Sequence, residues 1–166
     1  MKKNLAHVFN QIRDIPYRIP LSPSEEDCSC TGKNKKLLQY LIKENYQVRW
    51  RVCTFKWSSL GLPQNVLEVS HDDNSTHAYL EIQINEVWKK VDATWDNGLA
   101  RILPVNQWED SFDAPIAVPV ISTFSGEESK VIMESENREV VEADLKINGN
   151  FYKALNLWLE EVRVKL

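Results

Sequence analysis

A thiol, an imidazole and a carboxylate are the side chains in this sequence whose types and spacing could do chemistry together, and the thiol comes first. The stretch "EEDCSCTGKNKKLLQYL", Glu25 to Leu41, places Cys28 and Cys30 directly ahead of an amphipathic segment. Cys30 stands immediately before or within the first turn of the helix expected over Thr31 to Glu44, where unpaired N–H groups and the macrodipole favour negative charge. Such a position favours the thiolate, and it is the thiolate that attacks carbon. The same N–H groups can receive the oxyanion that forms when a thiolate adds to a carbonyl, and Gly32 keeps that approach uncluttered. The plainer alternative is a small buried hydrophobe, the ordinary condition of a free cysteine.

A nucleophilic thiol needs a base, and the base needs a group to orient it. The chain has three histidines. His7 falls in the first helix as a surface residue, and His71 sits in the polar run "SHDDNSTH", in solvent. His77 differs because it opens the strand "HAYLEI", and the returning strand "EVWKKVDAT" brings Asp92 back beside it across a tight turn. With the turn centred near Asn85 and Glu86, residues whose numbers sum to roughly 171 face each other. That register puts Asp92 within about two positions of the partner of His77, close enough for a carboxylate to reach an imidazole. The competing account of the same residues is a histidine at a strand edge and an aspartate that begins a turn.

The elements that must position these groups follow from periodicity. "LAHVFNQIRDI" carries Leu5, Val8, Phe9 and Ile12 at helical spacing and ends before Pro16. "PYRIPLSPSEED" is an irregular connection. In the second helix Leu37, Leu38, Leu41 and Ile42 form an apolar stripe, Lys33, Lys35, Lys36, Lys43 and Glu44 lie mainly on other faces, and Asn45 is a helix stop. "YQVRWRVCTFKW" reads as a strand from Tyr46 to Trp57, with Cys53 in the core. "SSLGLPQNV" is a mobile loop, and the hairpin of "HAYLEIQI" and "EVWKKVDAT" follows. "PIAVPVISTF" and "VIMESENREV" read as strands or extended segments. "FYKALNLWLEEVRVKL" is a carboxy-terminal helix with Phe151, Leu155, Trp158, Leu159 and Val162 on one side. The order helix, helix, three strands, helix argues for an α+β domain, an antiparallel sheet packed against helices.

Composition narrows the function classes. With 166 residues, 43% of them hydrophobic and 27% charged, the chain fits one globular domain spanning 1–166. Twenty-four acidic residues outnumber 20 basic ones, giving a net charge of −4, so no basic surface for nucleic acid is expected. No apolar run approaches the ~20 residues of a spanning helix and the first residues lack a signal peptide's apolar stretch, so neither a membrane partner nor export is expected and the location expected is cytoplasmic. In a reducing compartment three cysteines direct attention to catalysis or metal rather than to disulfides. Of the aromatics, Trp50, Trp57, Trp88, Trp95 and Trp108 can fill the core or line a groove beside Cys30, and the loop "SHDDNST" can gate the site.

These residues carry a resemblance. The sequence is similar to the transglutaminase-like superfamily of cysteine acyl-transfer enzymes over about residues 8–95. "CTGKNKKLLQYLIKENYQVR" resembles the family's helix that starts at its nucleophile; "HAYLEI" and "WKKVDATW" resemble its histidine and aspartate strands; "VFNQIRDIPYRI" is similar to the segment before the cysteine, where a tyrosine ends a helix. The departures are Asn45 and Tyr46 in place of a Gly-Ile pair, Tyr79 where tryptophan is common, and Cys28 where glycine often stands. The resemblance implies a papain-like α+β fold, a Cys30, His77 and Asp92 triad, and acyl transfer from a protein, peptide or small amide substrate through a thioester, with no cofactor and no metal. A module that keeps the fold without turnover is the alternative. Counting back from Arg49 in the family pattern puts the nucleophile at Cys30 and leaves Cys28 a bystander: a Cys-x-Cys disulfide closes a very small ring, and the spacing lacks the C-x₂₋₄-C of metal sites. A second oxyanion donor is unassigned, and residues 96–166 form a carboxy-terminal extension of the same domain that resembles nothing further.

Overall fold

The computed structural model describes residues 5–108 and 113–165; residues 1–4, where the polar amino-terminal stretch begins, and residue 166, where the last helix was expected to end, lie outside them. Helix α1, Leu5–Arg13, buries Val8 and Phe9, two positions of its apolar stripe. Helix α2, Cys30–Lys43, buries Leu37 and Leu41 completely. It stops where the sequence indicates. Asn45 adopts a left-handed φ of 62°, and the N–H groups of Asn45 and Tyr46 donate to the carbonyls of Ile42 and Leu41 at 3.0 and 2.9 Å. This is the arrangement in which a left-handed residue satisfies the last helical carbonyls.

The sheet is antiparallel throughout, in the order β3-β2-β1-β4. Strand β1 is Val48–Lys56, β2 Asn74–Ile84, β3 Val87–Val91 and β4 only Ser122–Thr123. Asn85 and Glu86 both have positive φ, 50° and 66°, as a two-residue hairpin turn requires. That turn sets the counted register, with Ile84 opposite Val87 and Leu80 opposite Val91. Two differences matter. β2 begins at Asn74, so His77 lies inside a strand, and β3 ends at Val91, so Asp92 has already left the ladder.

From His77 to Ile82 every residue of β2 is buried, which requires cover on both faces. Leu80, Ile82 and Val91 pack with Leu37 and Leu41 of α2 and Phe9 of α1. Tyr79 belongs to a larger cluster with Cys53, Phe55, Trp57, Trp95 and Leu99, and residues from the end of the chain complete it. Those residues come from α5, Arg138–Val164, a helix of 27 residues that buries Phe151, Tyr152, Leu155 and Leu159. It is much longer than the expected one from Phe151. The segment "VIMESENREV" is not extended: it holds the end of helix α4, Gly126–Glu134, a turn and the start of α5. Both helices carry start signals. Ser125 and Glu128 form a reciprocal capping box, and Asn137 accepts the N–H of Val140 at 3.0 Å. "SSLGLPQNV" is ordered too, as most of a 3₁₀ turn at Trp57–Leu60 and the short helix α3, Gln64–Leu67, with Trp57, Leu62 and Val66 buried beneath them. No helix among the described residues is long and apolar enough to cross a membrane.

Candidate active site

The start of α2 is shaped by the loop before it. Arg18 donates its N–H to the carbonyl of Cys28 at 3.2 Å, an isolated antiparallel bridge. Asp27 then accepts the N–H of Ser29 at 2.8 Å, turning the chain into the helix at Cys30. Ser29 stands at the cap position in extended conformation, and its side chain makes no capping hydrogen bond. Gly32 serves a different purpose from the one expected. A Cβ there would lie 1.8 Å from the Asp27 carbonyl oxygen, so glycine lets the loop close against the helix rather than clearing space around the sulfur.

His77 projects from β2 opposite Cys53 of β1. Asp92, one residue past the end of β3, turns its carboxylate back, and Oδ2 accepts from His77 Nε2 at 2.7 Å. Both residues are almost wholly buried. A buried carboxylate must be satisfied to stay ionised, and Asp92 is. Its Oδ2 also takes the N–H of Ala117 at 2.8 Å, and its Oδ1 takes the N–H and hydroxyl of Thr94 at 3.2 and 2.5 Å. Burial works against its charge, but His77 and these donors outweigh it and hold the carboxyl below its ordinary range. For His77 burial pulls the other way from its neighbours. The charge of Asp92, then that of Cys30, and the bond to Asp92 win, pushing the imidazole up to about 10. With Nε2 committed to Asp92, Nδ1 is the nitrogen left for the sulfur. The structure therefore brings Cys30 to the wall of one cavity with His77, whose ring is hydrogen-bonded to Asp92.

Two buried polar side chains of α2 hold that arrangement in register, and sequence reasoning missed both. Asn34, one turn after Cys30, donates to the carbonyl of Ala78 at 3.1 Å and accepts the N–H of Ala93 at 3.2 Å. It grips the residue after His77 and the residue after Asp92 from the helix that carries Cys30. Lys33, expected on a solvated face, is 0% exposed. Its ammonium donates all three hydrogens to the carbonyls of Arg13, Ile15 and Thr94 at 2.6, 2.8 and 2.7 Å. Burial lowers its pKa to about 8. The signal that could have found both is spacing: residues three and four after Cys30 share its side of the helix. Asn106 adds a further tie, donating to the carbonyls of Asp92 and Pro115 at 2.9 Å each.

Cys30 and His77 open onto a cavity of about 330 Å³, also lined by Tyr17, Thr94, Trp57 and Trp95. Its opposite wall is α5, through Val140, Val141, Asp144, Leu145 and Tyr152. Of the tryptophans, Trp57 and Trp95 line this cavity while belonging to the core, Trp50 and Trp108 pack against the α2 cluster, and Trp88 lies under the guanidinium of Arg49 at 4.2 Å. Long-range hydrogen bonds hold α5 in place. Asn156 pairs with both backbone groups of Ile19 at 3.0 and 2.8 Å. Arg163 forks onto Asp96 at 3.0 and 2.6 Å and donates to the Tyr17 carbonyl at 3.0 Å.

The remaining candidates lie apart from this arrangement. His7 is exposed. His71 is not in solvent: it stacks on Phe151 with centroids 4.0 Å apart, and its Nδ1 meets the Val69 carbonyl at 2.6 Å. Cys28 and Cys53 are free thiols. Burial raises both, that of Cys53 to about 12. Among the described residues no group of three His, Cys, Asp or Glu side chains could hold a metal ion. The family models, curated proteins and solved structures compared with the chain give no match.

Proposed function

We propose that this chain is a cysteine-dependent acyl-transfer enzyme with a papain-like, transglutaminase-like arrangement, an amide or peptide hydrolase or an acyltransferase. The observation that carries the reading is the Cys30, His77 and Asp92 relay at the wall of a cavity, with the His77–Asp92 bond at 2.7 Å. In the reactive form the thiol proton sits on His77, whose raised pKa suits it to keep that proton at neutral pH. The Cys30 sulfur attacks the carbonyl carbon, a C–S bond forms, and the π pair moves to oxygen, where N–H groups at the start of α2 receive it. As that pair returns, the bond to the leaving amine or alcohol breaks and His77 supplies its proton. Water or an amine then attacks the thioester, His77 takes the proton of the attacking group, and the thiolate departs. Asp92 keeps the ring in the tautomer and orientation these transfers need.

The probe is p-nitrophenyl acetate. Wild type is expected to release nitrophenol with acetylation of Cys30 detectable by mass, and Cys30→Ala to fall to the uncatalysed background. Iodoacetamide is expected to modify Cys30 ahead of Cys28, which is half-buried as Cys30 is but whose thiol is raised by burial, and ahead of the fully buried Cys53. A wild type that is never acylated would leave the chain a binding module, and a Cys30→Ala variant with undiminished turnover would overturn Cys30 as the nucleophile.

A further inference from the structure

One tyrosine of the cavity wall makes no hydrogen bond through its hydroxyl among the described residues. Tyr17 is 4% exposed and lines the same cavity as Cys30 and His77. Its backbone is held on both sides: the N–H donates to Asp96 Oδ2 at 2.9 Å and the carbonyl accepts from Arg163 at 3.0 Å. Its ring packs on Trp95 with centroids 4.5 Å apart. No hydrogen bond among the described residues uses its hydroxyl, whereas the other cavity tyrosine, Tyr152, donates to Asp144 at 2.9 Å. The hydroxyl is not among the enclosed atoms that lack a partner, so it is reached from the cavity and is available to a group that arrives there. Burial, and after it the charge of nearby Cys30, raise the Tyr17 phenol well above its ordinary value. In the cavity it shares with Cys30 it is therefore a hydrogen-bond donor that keeps its proton.

We propose that Tyr17 is a further catalytic residue, whose phenol O–H donates a hydrogen bond to the acyl oxygen at Cys30 alongside the backbone N–H of Cys30. The inference rests on the acyl-transfer reading above. When the C–S bond forms and the carbonyl π pair moves to oxygen, the Tyr17 proton stays on its own oxygen and the bond to it strengthens. When the pair returns and the leaving group departs with the proton from His77, that bond relaxes. Anchored at both backbone groups and against Trp95, the donor is oriented before substrate arrives, which is the condition under which such a group accelerates the reaction.

The experiment compares Tyr17→Phe with wild type and with Cys30→Ala, using p-nitrophenyl acetate and iodoacetamide as probes. Phenylalanine keeps the ring on Trp95 and both backbone hydrogen bonds, and the unfolding midpoint checks that the fold is retained. Acetylation of Cys30 is expected to slow about 10²-fold in kcat with little change in KM, the size of effect seen when one oxyanion donor is removed. Alkylation by iodoacetamide, which builds no oxyanion, is expected to keep its wild-type rate and pH profile. Acetylation within threefold of wild type, while Cys30→Ala is inactive, overturns the role of Tyr17 and leaves the acyl-transfer reading standing. Equal losses in acetylation and alkylation overturn it as well, because the phenol then acts on the thiol. A wild type without acetylation of Cys30 removes both.

Discussion

The two walls of the cavity are built on different principles. The wall that carries Cys30, His77 and Asp92 is held by buried polar bonds: Asn34 and Lys33 reach from α2 to three separate backbone segments, and four donors converge on Asp92. The wall that faces it, the first half of α5, presents half-exposed aliphatic side chains such as Val140 and Leu145, and its firm ties lie further along at Asn148, Asn156 and Arg163. Buried polar networks are costly when incomplete and specify one geometry when complete. Apolar surface tolerates small changes of shape. The contrast assigns rigidity to the wall of the proposed triad and adaptability to the wall that faces it.

The comparison can be broken most severely at Asp92. Asp92→Asn keeps the shape but offers the wrong partner to Nε2, and turnover of p-nitrophenyl acetate is expected to fall on the order of 10⁴-fold with the chain still folded. It carries a pH signature. The pKa of His77 is raised in the folded state to about 10 from an unfolded value near 6.5, so the stability it contributes is complete below pH 6.5 and lost as pH rises through 10. Urea unfolding is expected to show the largest gap between wild type and Asp92→Asn at the acid end of that window, closing toward pH 10. A gap that widens with pH contradicts the assignment of charge to this pair. Lys33→Met comes next, because it orphans three carbonyls in the rigid wall. A loss of about 2–4 kcal/mol in the same unfolding measurement is expected, and a loss below 1 kcal/mol would mean the ammonium cage is dispensable. The smallest effect belongs to the other wall. Asn156→Ala frees Ile19 and is expected to raise KM about fivefold, the equivalent of about 1 kcal/mol, with kcat within twofold. A kcat loss without a KM change would show that this wall, too, serves the chemistry.

Much of the rigid wall was legible in the sequence for local reasons. The leucine stripe of α2 repeats at the helical period, Asn45 can adopt the left-handed conformation that ends it, and the tight turn at Asn85 and Glu86 fixes a register that can be counted. Once that register is counted, His77 and Asp92 are neighbours. The adaptable wall was hidden. In α5 the buried stripe passes through Asn148, a polar residue where the helical pattern calls for an apolar one, so the periodicity becomes legible only from Phe151. Val131, Val140 and Ile147 are β-branched and more than half exposed or nearly so, which makes α4 and the start of α5 resemble extended segments. Lys33 was misplaced because lysine is rarely buried whole, and only the three carbonyls gathered from distant parts of the chain make it possible. Such partners are tertiary, and no window of sequence contains them.

The bond between Arg163 and the carbonyl of Tyr17 spans 146 positions of the chain. During synthesis the residues from Cys30 to Asp92 leave the ribosome well before Arg163 does, and loop closure over that length waits until the distal partner exists. A nascent polypeptide can thus bring Cys30, His77 and Asp92 together while the carbonyl side of Tyr17 is still unclamped. Completion of the last helical turns is the event that finishes the pocket.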